Sequence, residues 1–459
     1  MDSAHAKARE YTSQLVDTGL HCTSEEDEKR FALDDVLCVL PQSADQRSGY
    51  KVLFLQRHSR ADPTREYERL ESIWTASLPP AVLSERLCTA IPAHLDVERG
   101  ANLHIILSSG SGTGMAGVAH DNYHNLVQPL FSFLSVTGYK VHETTSAQTI
   151  TDLARSEFLN HAKAGAAQTI ILLSGDGGLV DIVDVFYNDG TAALRTPPNI
   201  ALIPSGTGNA MANSIGLLDQ PITGLMALLR GKPVPIPVFR ATFSPGSQLI
   251  TADDDTKTTI NQNGLTNPTI YGAVVASWGI HAALVADSDT PEYRKFGSER
   301  FKMAIKELLF PSTGDKTHKY HGIITLTLCD PATREMYTAP LGQDNKHMYM
   351  LATSVPNLER NFVISPDSKA LDGRLRIVYF GPMPPSEVVD IMSLAYQNGK
   401  HTQSKDVTYT EVEGFKIEFR EELEKWRRVC IDGKIIVVSR DGWVDVEKDR
   451  RHLLRLITL

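Results

Sequence analysis

The sequence predicts an α/β chain with two architectures in series. The first is a three-layer domain on a parallel sheet; the second is an antiparallel, β-sandwich-like domain. Three observations predict this. From Leu103 to about Gly231, short wholly apolar strands (LHIIL, TIILLSG, IALIP) alternate with segments of helical period, as in a parallel sheet buried on both faces. Glycine-rich runs follow those three strands, where open α/β sheets place their ligands. After Pro233 the rhythm changes to strand patterns with few helices.

Size and composition bound the possibilities. A chain of 459 residues exceeds one ordinary core and suits two or three domains. Hydrophobic content of 42% with 22% charged residues fits a folded protein. The net charge of −9 supplies no global positive field, so no nucleic-acid partner is expected. Five scattered cysteines form no CxxC pair. Neither a disulfide framework nor a zinc site is expected from them, and a reducing, cytoplasmic setting fits best. The opening MDSAHAKARE lacks the apolar core of a secretory signal. No stretch reaches the ~18 apolar residues of a spanning helix.

Taken in order, residues 1–30 are polar and read as a flexible tail. Residues 31–98 read as a small accessory β/α layer. FALDDVLCVL and YKVLFLQ are its strands, and DPTREYERLESIWTASL its helix. Residues 99–235 form the α/β domain, with helices predicted at HNLVQPLFSFLS, TITDLARSEFLNHA, LVDIVDVFYN and ITGLMALLRG. Residues 236–445 form the β-rich domain, with a polar loop at 244–268 and one helix around SERFKMAIKELLF. Residues 446–459 read as a basic tail.

Three glycine segments carry the chemistry. In Ser174-Gly175-Asp176-Gly177-Gly178 an acid sits in a glycine turn at a strand end. Glycine lets the main chain approach a phosphate and aim N–H groups at it. The aspartate can then take a proton from a hydroxyl or hold Mg²⁺; a plain Asp-Gly turn is the simpler reading. Ile203-Pro204-Ser205-Gly206-Thr207-Gly208-Asn209-Ala210 enters a helix, whose N-terminus favours anions. Ser108-Ser109-Gly110-Ser111-Gly112-Thr113-Gly114 follows the first strand. Gly112, Gly114 and Gly117 spell GxGxxG, but the acid expected about 20 residues on is missing from its place, and no GKS or GKT makes a Walker loop.

In this order and at these intervals, the segments resemble the diacylglycerol kinase catalytic domain family, which includes sphingosine and ceramide kinases. SGDGGLVDIVD is similar to its glycine–aspartate segment, and IPSGTGNAMA to its proline–glycine–threonine–asparagine segment. Thr144-Thr145 resembles its double-threonine motif. Ser277-Trp278-Gly279 and the run Tyr293 to Phe301 resemble the sphingosine and ceramide kinase branch. Leu371-Asp372-Gly373-Arg374-Leu375 and Ile431-Asp432-Gly433 match two weaker signatures. The resemblance covers roughly 100–445.

It implies an ATP-binding domain over 99–235, a lipid-binding domain over 236–445, and transfer of a phosphoryl group from Mg-ATP to a lipid hydroxyl. Asp176 is then the expected general base. Ser108, Gly110, Ser111, Gly112, Thr145, Ser174, Gly175, Gly177, Gly206, Thr207, Asn209, Arg294, Arg300 and Asp432 are the expected nucleotide contacts. Asp181 and Asp287 are the expected substrate contacts, with the metal ligands unassigned. The implied partners are a lipid substrate and a membrane visited peripherally, where Lys448, Arg450, Arg451 and Arg455 could meet anionic headgroups.

This chain also departs from the family pattern. Ser108-Ser109 replaces asparagine–proline, Thr149 a histidine, and Lys434 a glutamate. Ala283 stands where sphingosine and ceramide kinases carry a substrate-binding aspartate, which leaves sphingoid base, ceramide and diacylglycerol open as acceptors. Two rivals follow: a catalytically weak lipid or nucleotide sensor on the same fold, and a small-molecule or NAD kinase.

Overall fold

The computed structural model describes residues 9–44, 47–59, 66–109, 117–189, 194–206, 208–218, 222–251, 256–260, 267–290, 293, 295–297, 299–342 and 344–459. The α/β domain is built on strands β1 (Asn102–Leu107), β2 (Lys140–Glu143), β3 (Gln168–Ser174), β4 (Asn199–Pro204), β5 (Lys232–Pro235) and β6 (Arg455–Thr458). Their spatial order is β5-β6-β4-β3-β1-β2. All neighbours run parallel except β5 and β6. The apolar runs have a simple cause. Alternate residues of a strand face opposite ways, and both faces here are covered. Ile105, Leu107, Ile171, Leu173, Ala201 and Ile203 enter one core. Their neighbours Ile106, Ile170, Leu172, Ile200 and Leu202 enter the other. The predicted α/β class is therefore observed.

The second domain pairs two antiparallel sheets. One contains, in spatial order, Thr269–Gly272, Val238–Phe243, Trp443–Asp449, Gly414–Phe419, Tyr320–Cys329 and Met336–Leu341. The other contains Thr256–Thr259, Gln248–Thr251, Lys434–Val437, Arg428–Ile431, Val275–Gly279, Tyr349–Thr353, Leu375–Phe380 and Thr408–Val412. Trp278 of the second sheet packs edge-on against Tyr320 and Phe419 of the first, at ring-centroid distances of 5.7 and 5.2 Å. It is fully buried, and its indole N–H donates to the Trp426 carbonyl at 2.9 Å. Truncation of such a side chain to alanine costs about 3–5 kcal/mol. Gly279 follows at φ +83°, where an added Cβ would lie 2.4 Å from the Met348 carbonyl oxygen. The Ser-Trp-Gly motif is thus explained by packing and backbone conformation.

Several expected boundaries need correction. Residues 10–30, read as part of a flexible tail, fall in strands Glu10–Val16, Gly19–Thr23 and Glu28–Ala32. They complete a six-stranded sheet with Glu66–Thr75, Arg47–Ser59 and Val36–Ala44. Only Tyr11, Leu20, Cys22 and Phe31 of these outer strands point inward, too sparse a pattern to read as strand. The helix predicted over DPTREYERLESIWTASL is instead strand Glu66–Thr75, paired along its length with Arg47–Ser59. Long-range pairing overrides local propensity there. Within the supposed polar loop at 244–268, Gln248–Thr251 and Thr256–Thr259 form a hairpin on the second sheet. The basic tail is not a tail. Lys448 pairs with Glu413 at 2.8 Å, Arg451 with Asp449 at 2.7 Å, and Arg455 donates to the Pro197 carbonyl at 2.7 Å. No helix among the described residues is long and apolar enough to cross a membrane.

Candidate functional site

The site grows from two adjacent strand ends. β3 ends at Ser174, and Gly175 leads into helix α1 (Asp176–Asp189), whose first residue is Asp176. β4 ends at Pro204 and leads through Ser205 and Gly206 to the short helix α2 (Ala210–Ser214). The register of β3 with β4 brings the two loops together, and Ser205 N–H donates to the Ser174 carbonyl at 3.0 Å. A Cβ on Gly206 would lie 2.4 Å from the Gly175 Cα, so the loops touch backbone to backbone. Asn209 adopts the left-handed conformation that asparagine tolerates, at φ 50°. Its side chain closes the loop, accepting from Gly206 N–H at 3.1 Å and donating to the Gly206 carbonyl at 2.6 Å.

Asp176 lies at the centre. Ala210 N–H donates to its Oδ2 at 2.6 Å and Met211 N–H to its Oδ1 at 3.0 Å. Burial pushes the carboxyl above the ordinary aspartate range, while these two donors pull it back. A small cleft beside it is lined by Ser174, Gly175, Asp176, Pro204, Asn209 and Ala212. Gly177 is exposed, and a Cβ there would meet nothing within 4 Å, so backbone faces open space next to the carboxylate.

The second domain contributes Asp432. It turns at φ 49° and accepts N–H bonds from Ala273, Val274 and Val275 at 2.6, 3.1 and 2.5 Å. Burial first, and the nearby charge of Asp176 last, push its carboxyl up to about 7 against those donors. At the third strand end, Ser109 N–H donates to Thr144 Oγ1 at 3.0 Å, and Ser109 Oγ donates to the Thr144 carbonyl at 2.6 Å. The first loop is thus tied to the double-threonine segment. Thr145 is exposed, and Thr149 Oγ1 accepts from the Thr145 and Ser146 amides at 3.1 and 3.0 Å. Gly110, Ser111, Gly112, Thr207 and Arg294 lie outside the described residues.

Three expected roles meet a different environment. Asp181 is ion-paired: Lys434 Nζ lies 3.1 Å from its Oδ1 and 3.3 Å from Asp184 Oδ2. Asp287 pairs with Arg428 at 2.7 Å, and Ala283 is buried. Arg300 pairs with Asp289 at 3.1 Å and sets its guanidinium over the Phe301 ring. Sequence reasoning missed Asp184, which also accepts from Tyr271 N–H at 2.9 Å and so fastens α1 to the second domain. Asn122, which donates to Ser205 Oγ at 3.1 Å, was missed too. Spacing of Asp181 and Asp184 by three, on one helix, was the available signal. Lys434, their partner, is 250 residues from Asp184 and was visible only as an unusual cation after Asp432-Gly433.

Residues 102–241 match the family model described as diacylglycerol kinase catalytic domain. This segment is similar to diacylglycerol kinase catalytic domains. Its limits enclose all three glycine segments and Asp176. The chain is also similar to sphingosine kinase 1 of Arabidopsis thaliana, with 22% identity over 350 residues, 69% of this chain. It spans 65% of the length of that relative. A 72-residue stretch is 43% identical to sphingosine kinase B of Dictyostelium discoideum, covering 15% of this chain and 9% of that protein. The fold is similar to the "Crystal structure of a putative diacylglycerol kinase from Bacillus anthracis str. Sterne", with TM-score 0.50 and 15% identity over 78% of this chain and 95% of that one.

Proposed function

We propose that the chain is an ATP-dependent lipid kinase that moves the γ-phosphoryl group of ATP onto a lipid hydroxyl. The observation that carries this is Asp176, held by two backbone N–H groups at the meeting point of two glycine loops inside the segment similar to diacylglycerol kinase catalytic domains. Gly175 and Gly206 let the two loops meet backbone to backbone, and Gly177 leaves open space beside the carboxylate where phosphate can approach. The Asp176 carboxylate accepts the hydroxyl proton as that oxygen bonds to the γ-phosphorus and the bond to ADP breaks. Mg²⁺ is a hard cation that takes oxygen donors, the phosphates of ATP among them. When bound with ATP, Mg²⁺ neutralises phosphate charge. Ser109 and Thr144 fix the third loop, and Lys434 fixes α1 against the second domain.

The similarity to sphingosine kinases points to a sphingoid base as one acceptor class; ceramide and diacylglycerol are the others. A neutral lipid is favoured over the sphingoid ammonium. Asp287 is already neutralised by Arg428, and Ala283 offers no charge. Peripheral membrane contact is supported by Phe296, Met303 and Phe310, which are exposed at and around helix Glu299–Leu309 among Lys302 and Lys306.

The test is transfer of label from Mg-ATP to micellar sphingosine, ceramide, diacylglycerol and monoacylglycerol, beside Asp176→Asn. Label in a neutral lipid, reduced about 10²–10⁴-fold in the variant, is the expected result. Label in sphingosine alone refutes the acceptor preference. ATP binding with no label in any lipid refutes the kinase and favours a sensor.

A further inference from the structure

A second cluster of ligating side chains lies under the sheet edge, away from Asp176. His104 stands in the middle of β1 and is 1% exposed. Glu157 and His161 project from the helix over 149–164, four residues apart and hence on one face. A π-turn at Ala154–Phe158 interrupts that helix, a feature common at functional sites. One ligand atom from each of the three lies within 4.8 Å of the other two.

Two nitrogens in this cluster are buried without a hydrogen-bond partner among the described residues: His104 Nε2 and His161 Nδ1. Buried polar atoms are nearly always satisfied, so two orphans side by side need an explanation. Next, His104 Nδ1 lies 3.1 Å from His142 Nε2. If His104 Nδ1 carries the proton and donates it to His142, Nε2 presents its lone pair to the cluster. That arrangement orients a metal-bound imidazole. Glu157 bonds Lys140 through Oε1. A carboxylate has two oxygens, so one can keep Lys140 while the other ligates.

From this juxtaposition we propose that His104, Glu157 and His161 form a binding site for a late first-row divalent ion, Zn²⁺ foremost. Two imidazoles and one carboxylate, with a fourth position for water, are a known zinc donor set. Bonds of about 2.0–2.1 Å put tetrahedral ligand atoms roughly 3.3 Å apart, so modest side-chain rotation closes the site. The ion ties the helix over 149–164 to β1. His104 is four residues before Ser108, and His142 two before Thr144, so the ion braces the edge that carries the first loop and the double threonine. Its role is structural support of that edge and is independent of the proposed transfer chemistry.

The test uses full-length protein stripped with a chelator and titrated with Zn²⁺ or Co²⁺. Metal per chain, the visible spectrum of the Co²⁺ form and the melting temperature are the readouts. One ion per chain, low-symmetry or tetrahedral Co²⁺ bands and a metal-dependent rise in melting temperature are expected. Glu157→Gln and His161→Asn, both at partly exposed helix positions, should each weaken binding at least about 100-fold, and His142→Asn about 10–100-fold. His318→Asn, in the second domain where His318 bonds Glu421, should leave metal uptake unchanged. No stoichiometric uptake by the stripped wild type, or uptake that both Glu157→Gln and His161→Asn leave intact, overturns the proposal.

Discussion

Helix α1 carries the same residue type into two electrostatic settings. At its first residue, Asp176 is held by two backbone N–H donors. One to two turns further on, Asp181 and Asp184 share the ammonium of Lys434. Dipoles hold the first carboxylate in place and leave its charge for chemistry. A full cation cancels the second pair and turns it into a fastening between domains. The difference teaches that an acid on this helix is judged by what faces it, not by its spacing from the glycine turn.

The most direct way to break the comparison is Asp176→Asn beside Asp181→Asn. If the two settings differ as described, the first loses about 10²–10⁴-fold in turnover with its fold intact. The second should lose stability before turnover. Equal losses in turnover at matched stability would merge the two roles. The acid limb of kcat/KM sharpens the same point. Burial raises the Asp176 carboxyl, and the base must be ionised, so activity should fall with decreasing pH at a midpoint above the ordinary aspartate value of about 3.9. A limb at or below that value contradicts the burial argument.

Lys434→Met should cost about 3 kcal/mol in denaturant unfolding, because two part-buried carboxylates lose their cation. Adding Asp181→Asn and Asp184→Asn to that variant should recover most of the loss; no recovery would mean that Lys434 acts by packing alone. Gly206→Ala should cost about 1–3 kcal/mol and weaken ATP binding, since its Cβ meets the Gly175 backbone. Gly177→Ala meets nothing and lies in a helix, so its stability should change by no more than about 1 kcal/mol, and calorimetric ATP titration should report any effect on phosphate approach.

Legibility followed locality. β1, β3 and β4 were readable because burial on both faces makes every residue apolar. Asp176 and its glycines were readable because loop conformation demands particular residues within a few positions. The outer strands at 10–32 were not, because only one face is buried and few positions are apolar. The pairings of Asp181 with Lys434 and Asp287 with Arg428 were hidden for another reason. Each joins residues more than a hundred positions apart, and no local pattern encodes such a contact.

The placement of β6 has a consequence for biosynthesis. Arg455–Thr458 lies between β4 and β5, yet roughly 250 residues follow β4 before it is made. At about 5–20 residues per second, the ribosome needs on the order of tens of seconds to deliver it. Throughout that time the edge of β4 is uncovered in the nascent chain. The α/β domain therefore cannot finish first and hand over to the second domain. It must wait, held open, for a strand that arrives only after the entire sandwich has emerged, and that interval is where a chaperone would have most to protect.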